Sequence, residues 1–184
     1  MKKNKNNSKI KGKNGERELC NIFKQYFGKN YDFIRVPNSG AYFGGVNSNK
    51  INESNINHVD LLQGDLIMPD DLKNILVEVK FYKEFPFHSL INSDKNYLFD
   101  SWIEQIQKTN KNNKKIWFLC LKVNRKGWFI SFDETYMKYF NLKNYIKYTS
   151  LYNNITCILT DLQIFLSDNK NIILDLSKNK DNIN

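Results

Sequence analysis

The sequence predicts an α/β sandwich, a small mixed sheet between helices, and three observations carry that reading. Apolar residues recur at three- and four-residue steps in two separate stretches, the period of an amphipathic helix. Short apolar or alternating runs bounded by Gly, Pro and Asn read as strands. The two kinds of element follow one another in the order helix, strand, strand, strand, helix, strand. With 184 residues, 41% hydrophobic and 14% aromatic, the chain can bury the core of one ordinary domain and little more.

Residues 1–14 are rich in Lys and Asn with almost nothing to bury, and are expected to form a disordered basic arm. From Glu16 to Phe27 the spacing of Leu19, Ile22, Phe23, Tyr26 and Phe27 predicts a helix that Gly28 stops. Projected at about 100° per residue, Glu16 shares the side of Leu19, Phe23 and Phe27, whereas Glu18 falls nearly opposite. Glu16 is therefore a carboxylate at the head of a buried face. Tyr31 to Val36 reads as a short strand ended by Pro37, and the polar stretch from Val46 to Asn57 as a mobile loop.

A strand from Gly64 to Met68 and another from Ile75 to Lys80, joined by a turn, predict a hairpin. Because side chains alternate along a strand, Glu78 and Lys80 share one face while Ile75, Val77 and Val79 fill the other. Phe99, Trp102, Ile103 and Ile106 predict a second helix over 99–111. The run IWFLCL within 115–123 predicts a central strand covered on both faces. A strand over 127–132 and an aromatic-rich helix over 136–148 follow, and then two or three short elements between Ile155 and Leu176. The expected organisation is a basic arm (1–14), a core (15–132) and a C-terminal extension packed on it (133–184).

A formal net charge of +9 points to a polyanionic partner such as nucleic acid. The Lys, Asn and Ile bias that runs through the chain is also what an AT-rich genome produces, which would raise the charge without functional pressure. No apolar run approaches the roughly 20 residues that span a bilayer, and the N-terminus lacks the hydrophobic stretch of a signal peptide. No membrane partner is expected, and the protein should act in the cytoplasm where it is made, a phage host's included. Cys20, Cys120 and Cys157 are odd in number, far apart and set among apolar neighbours, which predicts buried free thiols rather than disulfides or a zinc site.

Glu16, Asp65, Glu78 and Lys80 stand where metal-assisted phosphodiester hydrolysis would want them. That reaction needs an activated water, neutralisation of charge on the phosphoryl oxygens and help for the leaving alkoxide, and bound Mg²⁺ can contribute to all three. Magnesium takes hard oxygen ligands and keeps several waters, so the carboxylates of Glu16, Asp65 and Glu78 suffice. Lys80, one pleat step from Glu78, is placed to hold the attacking water or stabilise the oxyanion. Each part alone has an ordinary explanation: a solvated strand face, a plain turn, or a carboxylate complementing a helix N-terminus. Their order, in a basic chain, is what makes them a site.

The blocks KGKNGEREL, IRVPNSGA, GDLIMP and ILVEVK, in that order, resemble the archaeal-type Holliday junction resolvases and their phage relatives in the PD-(D/E)XK nuclease superfamily. The resemblance spans about residues 11–81 and reaches Phe132 more loosely. It implies a restriction-endonuclease-like αβββαβ core with a small mixed central sheet flanked by helices. It also implies an Mg²⁺-dependent endodeoxyribonuclease, with Mn²⁺ able to substitute, acting as a homodimer on branched DNA such as a four-way junction. Glu16 then corresponds to the helical metal-site glutamate, Asp65, Glu78 and Lys80 to the defining acidic pair and lysine, and Arg17 to a DNA-contacting or site-supporting arginine. Arg35 and Ser39 match groups that engage the phosphate backbone, and Lys11 and Lys13 extend the DNA-binding set along the arm.

Gln105 matches a site-orienting glutamine of some superfamily members, with Gln107 the other candidate on that helix; exposed helical glutamines are otherwise merely solvated. His58 and His88 have no partners at ligand spacing and read as loop residues. Tyr42 and Phe43, flanked by glycines, are suited to stacking on an unpaired base or to folding back on the core. The chain departs from the family in having Gly64 where proline precedes the aspartate, in a longer stretch from Tyr42 to Gln63, and beyond Asp133, where no family counterpart can be placed. The competing readings are a restriction- or repair-type or phage DNA-processing nuclease of the same superfamily, and a non-catalytic DNA-binding module.

Overall fold

The strand Ile116–Val123 (β4) organises the molecule, because its side chains are split between two cores. Ile116, Phe118 and Cys120 join one apolar cluster with Leu19, Phe23, Phe165 and Leu166, while Trp117, Leu119, Leu121 and Val123 join another with Phe99, Trp102, Ile103 and Ile106. A strand that is apolar at nearly every position has no face to give to water, so it must lie inside a sheet covered on both sides. Each large side chain so buried contributes roughly 2 kcal/mol of transfer free energy. The computed structural model describes residues 5–37, 63–110 and 115–179.

One layer of helices consists of α1 (Lys5–Phe27) and α4 (Leu162–Lys178), and the other of the short α2 (Phe87–Ile91) and α3 (Tyr97–Thr109). Between them lies a five-stranded mixed sheet of β3 (Ile75–Tyr82), β4, β5 (Gly127–Asp133), β6 (Ile146–Thr149) and β7 (Thr156–Asp161), in the order β3-β4-β5-β7-β6. β3 and β4 run parallel and the remaining neighbours antiparallel. A separate antiparallel pair is made by β1 (Ile34–Arg35) and β2 (Leu66–Ile67). The expected α/β class with a small mixed sheet between helices is what the chain adopts, and helix, three strands, helix and strand come in the expected order, with α2 added before α3.

Several elements differ from the sequence reading. α1 begins at Lys5 and so takes in residues expected to belong to the basic arm, although Ile10 there is left exposed. Gly28, at φ 114°, ends it as expected, its amide donating to the Lys24 carbonyl at 3.0 Å. β2 pairs with β1 and not with β3, so the expected 64–80 hairpin is not a regular ladder. The reason is that Asp65, just ahead of β2, occupies the edge of β3 with its own backbone and side chain.

The segment 136–148 is not a helix: a 3-10 turn over Glu134–Tyr139 gives way to β6, which alternates Tyr148 inward with its neighbours outward. Apolar rings there recur at helical spacing, but the chain forms the edge strand of the sheet. Residues beyond Asp133 supply two of the five strands and α4, and Phe165 and Phe132 stand 5.2 Å apart between ring centres. They complete the core rather than lie against it. Cys20, Cys120 and Cys157 are free and buried, as expected, and burial raises the pKa of each thiol.

Candidate active site

The edge of β3 is where the two helical layers meet the chemistry. Ile75, Val77 and Val79 face the layer of α1, while Leu76 faces that of α3, and Glu78 and Lys80 follow it on the same side. The open edge itself is closed by Asp65. Its amide donates to the Val77 carbonyl at 2.8 Å, and its Oδ2 accepts from the Val79 amide at 2.8 Å, so one residue satisfies two groups that a neighbouring strand would otherwise pair. The Asp65 carbonyl in turn accepts from Val36 at 2.9 Å, tying the end of β1 to the same point. Gly64 makes this approach possible: its φ is 82°, and a Cβ there would lie 2.5 Å from the Val77 carbonyl oxygen.

On the α3 side, Glu78 is buried at 4% exposure and meets two donors. Lys80 Nζ and Gln105 Nε2 both donate to its Oε1, at 2.8 and 2.5 Å, and Lys80 Nζ also donates to Gln105 Oε1 at 2.8 Å. The lysine is thus fixed by a carboxylate on its own strand and an amide from α3. On the other side, Gly15 packs against Phe81, its Cβ position 3.4 Å from that ring, which brings α1 down onto β3 and delivers Glu16 to the edge. Glu16 lies with Leu19 and Phe23 on the buried face of α1, as the projection requires. Arg35 Nε stands 2.5 Å from its Oε2.

Glu16, Asp65 and Glu78 share one electrostatic field. Burial pushes the Glu78 carboxyl up to about 7, and the charges of Asp65 and Glu16 push it the same way against the opposing pull of Lys80. The Glu16 carboxyl is also raised, first by burial and then by Asp65, with Arg35 opposing. Three buried carboxylates faced by two cations leave an excess of negative charge and hard oxygen donors, which suits a divalent cation. Oε2 of Glu16 is buried against Arg35 Nε without a directed hydrogen bond, an ion pair rather than an in-line contact. Among the described residues no three carboxylates, histidines or cysteines are grouped closely enough to form a metal cage, and Arg35 stands against Glu16 and Lys80 against Glu78.

A model of the family described as "Phage putative PDDEXK endonuclease" matches residues 7–175, which includes all of these groups. The chain belongs to this phage PD-(D/E)XK endonuclease family. Asp65, Glu78 and Lys80 of this nuclease all fall within the matched stretch. No curated protein matches the chain. Among solved structures, the nuclease is similar to Hjc, a Holliday junction resolvase of the archaeal hyperthermophile Archaeoglobus fulgidus, at 16% identity over 84% of this chain and 91% of that one. The TM-score is 0.39, so the family assignment rests on the sequence model.

The nuclease brings together Glu16, Asp65, Glu78, Lys80 and Gln105, and adds Arg35, which pairs with Glu16 where the sequence suggested a phosphate contact. Gln107 is not part of the Lys80–Glu78 contact, because its neighbour two positions earlier projects toward β3 instead. Lys11, Lys13 and Arg17 are exposed on α1 leading into Glu16, with Arg17 reaching Asn14 at 3.4 Å. Ser39, Tyr42, Phe43 and His58 lie outside the described residues. His88 is exposed on α2 rather than in a loop.

Glu18 was missed as a structural anchor: it accepts from Trp128 Nε1 at 2.9 Å and pairs with Lys122. Lys122 also lies over the Phe81 ring at 5.1 Å. This clamp holds α1 across the sheet so that Glu16 falls at its edge. Nothing local in the sequence marks it, since its partners lie more than 100 residues away.

Proposed function

We propose that this nuclease is an Mg²⁺-dependent DNA endonuclease that hydrolyses phosphodiesters by attack of an activated water. The observation that carries this is the fixed Lys80 ammonium, held between Glu78 and Gln105 at the strand edge that also carries Asp65 and Glu16. A lysine so held has lost little freedom when a phosphate arrives, and its charge lies in a partly desolvated site where it counts for more than in water.

Glu16, Asp65 and Glu78 are the residues that would hold the metal, with Mn²⁺ as a substitute. When bound, the cation supplies Lewis-acid stabilisation of the phosphoryl oxygens and lowers the pKa of a water. Lys80 orients the attacking water and stabilises charge on the phosphoryl oxygen. Asp65 is held rigidly by the Val79 amide, and Gln105 keeps Lys80 from wandering. The exposed Lys11, Lys13 and Arg17 bind the DNA backbone, with Arg35 and Ser39 nearer the cut.

The four sequence blocks around the site support branched DNA, a four-way junction above all, as substrate. A homodimer with two sites, acting in the cytoplasm, fits symmetrical nicking of such a junction. Among the described residues no helix is long and apolar enough to cross a membrane. The test is to incubate a synthetic four-way junction, a linear duplex and a supercoiled plasmid side by side with Mg²⁺, using Asp65→Asn as the inactive control. Paired nicks confined to the junction are expected. Equal cutting of all three would leave a general DNA-processing nuclease in its place, and no cutting with either metal would leave the non-catalytic DNA-binding module.

A further inference from the structure

Arg35 and Glu16 are close and largely out of water, at 18% and 11% side-chain exposure, with Nε 2.5 Å from Oε2. Yet neither of these two atoms takes part in a directed hydrogen bond. The contact at this point is held by charge, without the in-line N–H···O geometry through which an arginine locks a carboxylate. Such a contact can be given up when another cation takes the place of Arg35, because the buried carboxylate is then not left uncompensated.

The backbone puts that exchange in place. Arg35 pairs with Leu66 in the β1–β2 register, and the next residue, Val36, donates to the Asp65 carbonyl. Arg35 therefore stands over the same point from which Asp65 faces Glu16 and Glu78. A guanidinium and a divalent ion cannot both lie against one buried Glu16 oxygen without strong repulsion. One must leave.

We propose that Arg35 is the counter-ion a divalent metal displaces from Glu16, and that the released guanidinium then takes a DNA phosphate. This rests on the reading of Glu16 as a metal-site residue, and it adds an order to binding: loading the metal is what makes the Arg35 phosphate contact available. In the metal-free protein Arg35 neutralises Glu16 and keeps the site from an uncompensated buried charge.

The test uses the full chain, with Mn²⁺ titrated calorimetrically at fixed pH without DNA. Arg35→Gln is expected to bind Mn²⁺ roughly three- to tenfold more tightly than the parent, because a competitor has gone. Arg35→Lys, which keeps the charge, should stay near the parent, and Glu16→Gln should bind more weakly. If Arg35→Gln binds no more tightly while Glu16→Gln is weakened, the exchange is wrong and the metal reading stands. If Glu16→Gln binds like the parent, the metal reading of Glu16 fails and takes the exchange with it.

A measurement on the unaltered protein guards against a variant that does not fold. The Nε–Hε resonance of Arg35, identified by its loss in Arg35→Lys, should move and exchange faster with water on saturation with Mg²⁺. A resonance that stays in place overturns the proposal. For the phosphate step, the salt dependence of duplex binding with Ca²⁺ in place of EDTA should steepen by about one unit in the parent and not in Arg35→Gln. Equal steepening in both would overturn that step.

Discussion

Gln105 and Lys80 meet across the space between α3 and β3, amide oxygen to ammonium at 2.8 Å, and both turn their donors onto the same Oε1 of Glu78. The amide thus fixes where the lysine charge stands relative to the carboxylate. Gln105→Ala should lower the single-turnover cleavage rate roughly 10- to 100-fold by letting Lys80 wander, the size of effect expected for a small misplacement of a catalytic group. Lys80→Ala should cost more, on the order of 10² to 10⁴. DNA affinity in a fluorescence anisotropy titration should change little in either. A Gln105→Ala enzyme that cuts as fast as the parent would show that the amide positions nothing.

Gly64 is the site's backbone constraint. With φ at 82° and a would-be Cβ 2.5 Å from the Val77 carbonyl oxygen, Gly64→Ala meets both a strained conformation and backbone that cannot yield cheaply. The expected cost is about 1–3 kcal/mol of stability, read as a lowered melting temperature, together with slower cleavage as Asp65 shifts on the edge of β3. Gly64→Pro should do at least as much harm, because proline holds φ near −65°. This is the physical content of the glycine that stands where the resolvase pattern has proline.

The raised Glu78 carboxyl makes metal-free stability depend on pH in an unusual direction. Its folded pKa, about 7, lies above the ordinary glutamate value of 4.5, so between those values the folded state holds a proton that the unfolded state has lost. Stability therefore falls as pH rises from about 4.5 to 7, by on the order of 3 kcal/mol at most. Glu16 is shifted in the same direction and adds to the trend. Melting curves in EDTA between pH 5 and 8 should show the fall, Glu78→Gln should flatten it, and Mg²⁺ should raise the melting temperature most at pH 8. A parent protein whose metal-free stability rises over that range would contradict a Glu78 carboxyl raised by burial.

Lys11, Lys13 and Arg17 are exposed on the stretch of α1 that leads to Glu16. Replacing all three with Ala should weaken DNA binding and reduce the slope of log affinity against log salt by up to roughly three units. The rate at saturating DNA should hold, since none of the three touches Lys80 or Glu78. An unchanged salt slope would move the DNA path elsewhere.

How much of this was legible in the sequence follows from the range of the forces involved. The helical face of Glu16, the pleat that sets Glu78 beside Lys80, the stop at Gly28 and the doubly covered β4 all rest on periodicity, and each is present in the fold. The four motif blocks named the superfamily for the same reason: they are short, and their chemistry is local. The 136–148 segment shows the limit, because aromatic rings at helical spacing also suit an edge strand when a sheet stands ready to receive them.

What the chain by itself determined, then, is the class of fold and the nuclease family, and it singled out Glu16, Asp65, Glu78 and Lys80 as candidates. Tertiary structure decided where those side chains stand relative to one another. Asp65 closes the edge of β3 in place of a hairpin strand, Gln105 arrives from α3 to hold Lys80, and Arg35 sits against Glu16. Glu18 also clamps α1 through Trp128, 110 residues along the chain. These are contacts between elements distant in sequence, formed because two cores on either face of one sheet draw their helices to its edge. No local pattern of residues carries the distance between them.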